Sequence, residues 1–233
     1  AGIAIGVVIL PQLSKHIQSR KKNKILLIQN KALELSLFLS LPATVALIIG
    51  SEQIISALFG YGSFNEISVN NSSLALYYFA LGLPAFALIK VFSSFIFARQ
   101  NTKVPFYFSL ISVILNITIS IYFFNDIGFI IIPIATSVSS WLNSVLLLIY
   151  LLNKNYFNLN KKLYLKSIKI IFSSIVTSYF FYYAILFFQE NLNYNSNNKL
   201  ITMIILVILT FVFYILLSIV TRAFKISDIK LKY

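Results

Sequence analysis

The sequence has no cysteine, one histidine and only six carboxylates in 233 residues. Without cysteine there can be no disulfide framework and no thiolate metal or redox centre. The lone histidine, His16, sits in a basic segment, and the carboxylates are too scattered to pair, so no nucleophile–base couple, acid–base carboxylate pair or metal-ligand cluster can be read. A membrane glycosyltransferase would need acidic, metal-binding residues in a loop, and none are there. Glycine is scarce as well, at seven residues. Gly60-Tyr61-Gly62 lacks the following lysine-and-hydroxyl pair of a phosphate-binding loop. The expectation is a protein that is not an enzyme and uses no cofactor.

Hydrophobic residues make up 59% of the chain and charged ones 11%, and the mean hydropathy is +0.87. A soluble core cannot hide that much apolar surface. The apolar residues gather in blocks of about 20, the length that crosses roughly 30 Å of hydrocarbon as an α-helix. Blocks such as Ile201–Val220 are apolar on every face, unlike the alternating strands of a membrane barrel. The pattern predicts an all-α, polytopic transmembrane helix bundle with six full spans, at about 32–50, 74–97, 104–124, 127–152, 165–188 and 200–221. Residues 1–12 read as the end of a truncated transmembrane helix, because ten apolar residues reach only about 15 Å and the single methionine, Met203, lies far down the chain. The chain is therefore expected to be a piece of a longer protein. Ser51–Phe59 is amphipathic and precedes two glycines, which predicts a short interfacial helix and a turn.

The formal charge of +13 admits two partners, nucleic acid or a membrane surface, and placement decides between them. Counted along alternate connections, 17 of the 19 basic residues fall on one side of the bundle. The other side holds Glu52, Glu66, Asp126 and Glu190, with Lys199 at its edge. The positive-inside rule makes the lysine-rich side cytoplasmic, together with the C-terminal tail. Basic residues split among short juxtamembrane loops suit anionic lipid and give no reason to invoke nucleic acid.

Polar residues within the spans form stripes. Ser109, Ser112, Asn116 and Ser120 share one helix face, and Thr136, Ser140 and Asn143 repeat the spacing in the next span. Two readings stand: close helix packing through small and hydroxyl residues, or the wall of a polar cavity or cation site. Lys90 is the deepest cation, nine positions before Arg99, or about 13 Å along a helix. It either snorkels to the headgroups or, with Ser93 and Ser94, faces an aqueous cavity suited to an anionic substrate. Pro84, after Gly82, favours a kink in the same helix.

Several segments resemble the MurJ/MviN lipid II flippase family: Ile9-Leu10-Pro11-Gln12-Leu13-Ser14-Lys15-His16, Leu41-Pro42-Ala43, Ala57-Leu58-Phe59-Gly60-Tyr61-Gly62-Ser63-Phe64 and Ala80-Leu81-Gly82-Leu83-Pro84-Ala85-Phe86. Leu88-Ile89-Lys90-Val91, leading into Ala98-Arg99-Gln100-Asn101-Thr102-Lys103-Val104-Pro105, is similar to the family's lysine-containing helix and the Ala-Arg-x-x-Thr-x-x-Pro loop after it. Residues 1–152 carry the likeness. It implies two six-helix lobes around a cationic cavity that opens alternately to each side, this chain supplying the C-terminal half. Residues 13–152 would be helices of the second lobe, and 153–233 two additional helices and a cytoplasmic tail. Placement makes Lys90, Ser93, Ser94 and Asn143 the candidate cavity residues, and the resemblance matches Lys90 and the loop residues Arg99, Thr102 and Pro105 to family positions and implies a weak cation site near Asn116, Ser120 and Thr136 with the coupling cation undefined. It further implies a lipid-linked anionic substrate, a bacterial cytoplasmic membrane and an N-terminal lobe of the same protein as partner. A related exporter of another lipid-linked oligosaccharide or small molecule, or a membrane scaffold, are the alternatives.

Overall fold

Three long helices begin where an asparagine side chain satisfies the first free backbone donors. Asn65 Oδ1 accepts from the backbone N–H and hydroxyl of Ser68 at 2.9 and 3.0 Å. Asn101 Oδ1 accepts from the Val104 N–H at 3.2 Å, and Asn160 Oδ1 from the Leu163 N–H at 2.7 Å. In the computed structural model, which describes residues 2–158 and 160–224, the helices are α1 (Gly2–Gln18), α2 (Lys22–Ile49), α3 (Ser51–Phe59), α4 (Glu66–Phe97), α5 (Lys103–Ile127), α6 (Ile131–Asn153), α7 (Lys161–Phe187), α8 (Gln189–Leu192) and α9 (Lys199–Val220). Among the described residues there is no strand. The tail lysines Lys225, Lys230 and Lys232 lie outside the described residues.

Helix ends differ from the apolar blocks in a systematic way. Helix α1 continues through Pro11 to Gln18, α2 starts at Lys22 and α4 at Glu66, because backbone hydrogen bonding propagates through polar first and last turns that hydropathy leaves out. Helix α4 also runs unbroken through Pro84. Three helices close with a left-handed residue that is not glycine: Arg20, Asn155 and Arg222, at φ 53°, 54° and 54°. In each, the next N–H reaches back five residues, Lys21 to His16, Tyr156 to Leu151 and Ala223 to Ser218, at 3.1, 2.8 and 3.0 Å.

Among the described residues five segments are long and apolar enough to cross a membrane, and the third, Lys103–Asn153, holds both α5 and α6. Between them Gly128 takes φ +74° and a short 3-10 turn covers Gly128–Ile130. The two helices fold back on each other, with Asn116 Nδ2 donating to Thr136 Oγ1 at 3.0 Å. Six helices of membrane-crossing length result among the described residues.

The chain divides into two compact units. Unit 1 comprises Ala1–Ser40 and Gly82–Ser167. Its core gathers Leu13, Ala32, Phe95, Ile96, Leu147, Leu151 and Phe157. Small residues bring its backbones close: a Cβ on Gly6 would lie 2.8 Å from Ser94 Oγ, and one on Gly82 would lie 2.7 Å from Ser137 Oγ. Glu34 and Lys166 form an ion pair at 2.6 Å. Unit 2 comprises Leu41–Leu81 and Ile168–Tyr233, with a core of Ala57, Phe181, Ile185, Leu192, Met203 and Leu206. The rings of Phe180 and Phe213 stack at 4.4 Å.

Candidate functional site

Residues 90, 93, 94 and 97 recur at three and four along α4 and therefore share one face. In unit 1 that face, part of α1 and the start of α5 enclose a cavity of about 900 Å³. Lys90, Ser93, Ser94, Thr102 and Pro105 all line it, so the structure brings together five of the residues singled out from the sequence. Lys103 adds a second cation and Ser109 and Tyr107 further hydroxyls, while no carboxylate is among the lining residues described. Lys90 is exposed, as a cation facing open space should be. The Ser94 hydroxyl donates to the Lys90 carbonyl at 2.8 Å, so its hydrogen is engaged within α4.

Asn143 stands behind the wall. Buried on α6, it directs Nδ2 to Ser109 Oγ at 3.5 Å, a long contact, and its Oδ1 has no hydrogen-bond partner. Asn143 can therefore orient a lining serine without lining the cavity itself.

Arg99 does not face the cavity. Its guanidinium donates to the carbonyls of Phe95 at 2.5 Å and Tyr156 at 2.9 Å and lies 4.3 Å from the centre of the Tyr156 ring. Gln29 Nε2 donates to the same Tyr156 carbonyl at 3.0 Å. Burial lowers the Arg99 pKa from its ordinary value, yet a guanidinium remains charged. At the C-terminal end of α4 that charge also meets the negative end of the helix dipole. Arg99 thus ties α4 to the segment after α6.

Of the second predicted cluster, Asn116 and Thr136 meet and are occupied by their own hydrogen bonds. Asn116 Nδ2 donates to Thr136 Oγ1 at 3.0 Å and to Ser139 Oγ at 3.3 Å. Thr136 Oγ1 in turn donates to the Ile132 carbonyl at 2.8 Å. Ser120, one turn beyond Asn116, has a buried hydroxyl with no partner. Among the described residues no group of three histidines or carboxylates could hold a metal ion.

Comparison with known proteins decides the family. The model of the lipid II flippase MurJ family matches residues 1–203. The chain belongs to that family. A probable lipid II flippase MurJ of Rhizobium tropici is 37% identical over 178 residues, covering 75% of this chain and 33% of that protein. The corresponding protein of Rickettsia prowazekii is 35% identical over 149 residues, 64% of this chain and 29% of the relative. A solved structure of lipid II flippase MurJ in an inward closed conformation superposes with a TM-score of 0.74 and 26% identity, covering 95% of this chain and 43% of that one. The chain thus spans about a third of the length of the curated relatives it matches, corresponding to the C-terminal region of MurJ. The match reaches past residue 152, the limit of the likeness visible by motif, and takes in α7 and α8.

Proposed function

We propose that the complete MurJ-family protein of which this chain forms part translocates lipid II from the inner to the outer leaflet of the bacterial cytoplasmic membrane by alternating access. Residues 13–152 would contribute helices of the second of two lobes, the N-terminal lobe being the working partner, and α7 and α9 would be additional helices with a cytoplasmic C-terminus. The observation that carries this reading is the carboxylate-free cavity with Lys90 and Lys103 on its wall. An anionic headgroup cannot cross hydrocarbon unaided, and the ammonium and hydroxyl groups set among the apolar side chains of Val7, Leu10, Ile89, Phe97 and Phe106 replace part of its hydration while the lipid tail stays in the bilayer. No bond is made or broken. At Asn116 and Thr136 the hydrogen bonds support helix packing over a coupling-cation site, since the Asn116 amide donates to the Thr136 and Ser139 hydroxyl oxygens that a cation would need.

The test is Lys90→Met in the complete protein, which keeps an unbranched side chain of similar length and removes the charge. Complementation of a flippase-depleted strain and headgroup exposure at the outer leaflet should both fall at unchanged membrane abundance, and Lys90→Arg should keep part of both. Full function of Lys90→Met would reduce Lys90 to a snorkelling lysine. Loss of export of another lipid-linked oligosaccharide in Lys90→Met, with lipid II exposure unaffected, would move the substrate to the related-exporter reading.

A further inference from the structure

Unit 2 contains a different cavity, of about 720 Å³, whose wall is acidic in a chain that is otherwise strongly basic. Glu52 of α3, Glu66 of α4 and Glu190 of α8, half of the six carboxylates in the sequence, line it, and among the described residues no lysine, arginine or histidine does. Ser56 also lines it, is only 5% exposed, and its hydroxyl has no hydrogen-bond partner. Gln53, one turn away, likewise has a buried Oε1 without a partner. Buried polar atoms left unpaired are costly, so an acceptor-rich wall with two of them is a wall built for a donor.

The spacing of the carboxylates selects the donor. Among the described residues no three acidic groups converge closely enough to hold one metal ion, so a compact cation cannot use all three. The rest of the wall is mixed: apolar Val69, Ile185, Leu186, Phe187 and Leu192 alternate with the neutral polar side chains of Gln189, Asn193 and Tyr194. Separated negative charges with uncharged, partly apolar surface between them match a ligand whose positive charges are separated by methylenes. We propose that this cavity is a binding site for a linear aliphatic polyamine, its ammonium groups distributed over Glu52, Glu66 and Glu190 and its hydrocarbon segments laid against the apolar wall.

Spermidine titrated onto the complete protein, held in zwitterionic-lipid nanodiscs so that anionic lipid does not compete, tests this by calorimetry. One saturable site is expected. Combined Glu52→Gln, Glu66→Gln and Glu190→Gln should weaken it by about tenfold or more, and Glu190→Gln alone by about threefold, as expected for ion pairs to exposed carboxylates. Asp126→Asn, which removes a carboxylate elsewhere, should leave it unchanged, and magnesium should displace spermidine no better than sodium at the same ionic strength. Absence of a saturable site, equal binding by the combined variant with an unaltered unfolding temperature, or stoichiometric displacement by magnesium would each overturn the proposal.

Discussion

Replacing Lys199 by methionine should destabilise unit 2 out of proportion to the size of the change. The residue opens α9, is 2% exposed, and its ammonium donates to the carbonyls of Gly60 and Tyr194, both at 2.6 Å. The rings of Tyr61 and Tyr194 flank the charge, with centroids at 4.3 and 4.5 Å. Hydrogen bonds from a charged donor contribute about 1.5–3 kcal/mol each, and a desolvated cation–π contact about 2 kcal/mol. Methionine fills similar volume and relieves the cost of burying a charge, which cancels part of that sum, but it leaves two carbonyls without a donor. A net loss of about 3 kcal/mol is expected, large for a single substitution. Thermal unfolding of the purified complete protein should begin at a lower temperature, and amide exchange should accelerate at Tyr61 and Phe64, which belong to the turn that Lys199 holds. Lys199→Arg should not restore either, because a planar guanidinium does not fit a site shaped around an ammonium. Unfolding and exchange indistinguishable from the parent in Lys199→Met would show that the carbonyls and rings do not depend on the charge.

Gly82→Ala should cost about 1–3 kcal/mol by overpacking, since its Cβ would meet Ser137 Oγ at 2.7 Å and Ser137 Cα at 3.1 Å; adding Ser137→Gly should recover part of the loss in the same unfolding assay. For topology, single cysteines at Lys22 and Asn158 should be shielded from an impermeant thiol reagent outside intact cells and those at Ser63 and Asn195 labelled, and the reverse pattern would refute the charge-based orientation. These four positions are exposed, and they avoid Asn65 and Asn101, whose side chains cap helices.

The class of the protein was legible in the sequence because it depends on local quantities. Blocks of about 20 apolar residues specify helices that can cross a bilayer whatever they pack against, and Lys90, Ser93 and Ser94 fall on one face by helical spacing alone. The motif from Lys90 to Pro105 located half of the lining residues for the same reason, because α4 and α5 are consecutive in the chain, whereas the part that α1 contributes was not legible there. The short helix over Ser51–Phe59 was equally readable from its amphipathic pattern and the glycines that follow.

The tertiary structure decided which polar groups face open space and which are spent on the chain itself. Arg99 belongs to the same motif as Thr102 and Pro105, yet its guanidinium turns to a carbonyl 57 residues away. Lys199, which looks like a stray cation on the acidic side, is enclosed by carbonyls and rings, one of them 139 residues distant. The helices closed by Arg20, Asn155 and Arg222 carry no glycine to mark their ends. Hydropathy and spacing describe a residue and its near neighbours, whereas satisfying a buried charge or a free carbonyl depends on whichever groups the fold brings within about 3 Å, and that information exists only once the helices have packed.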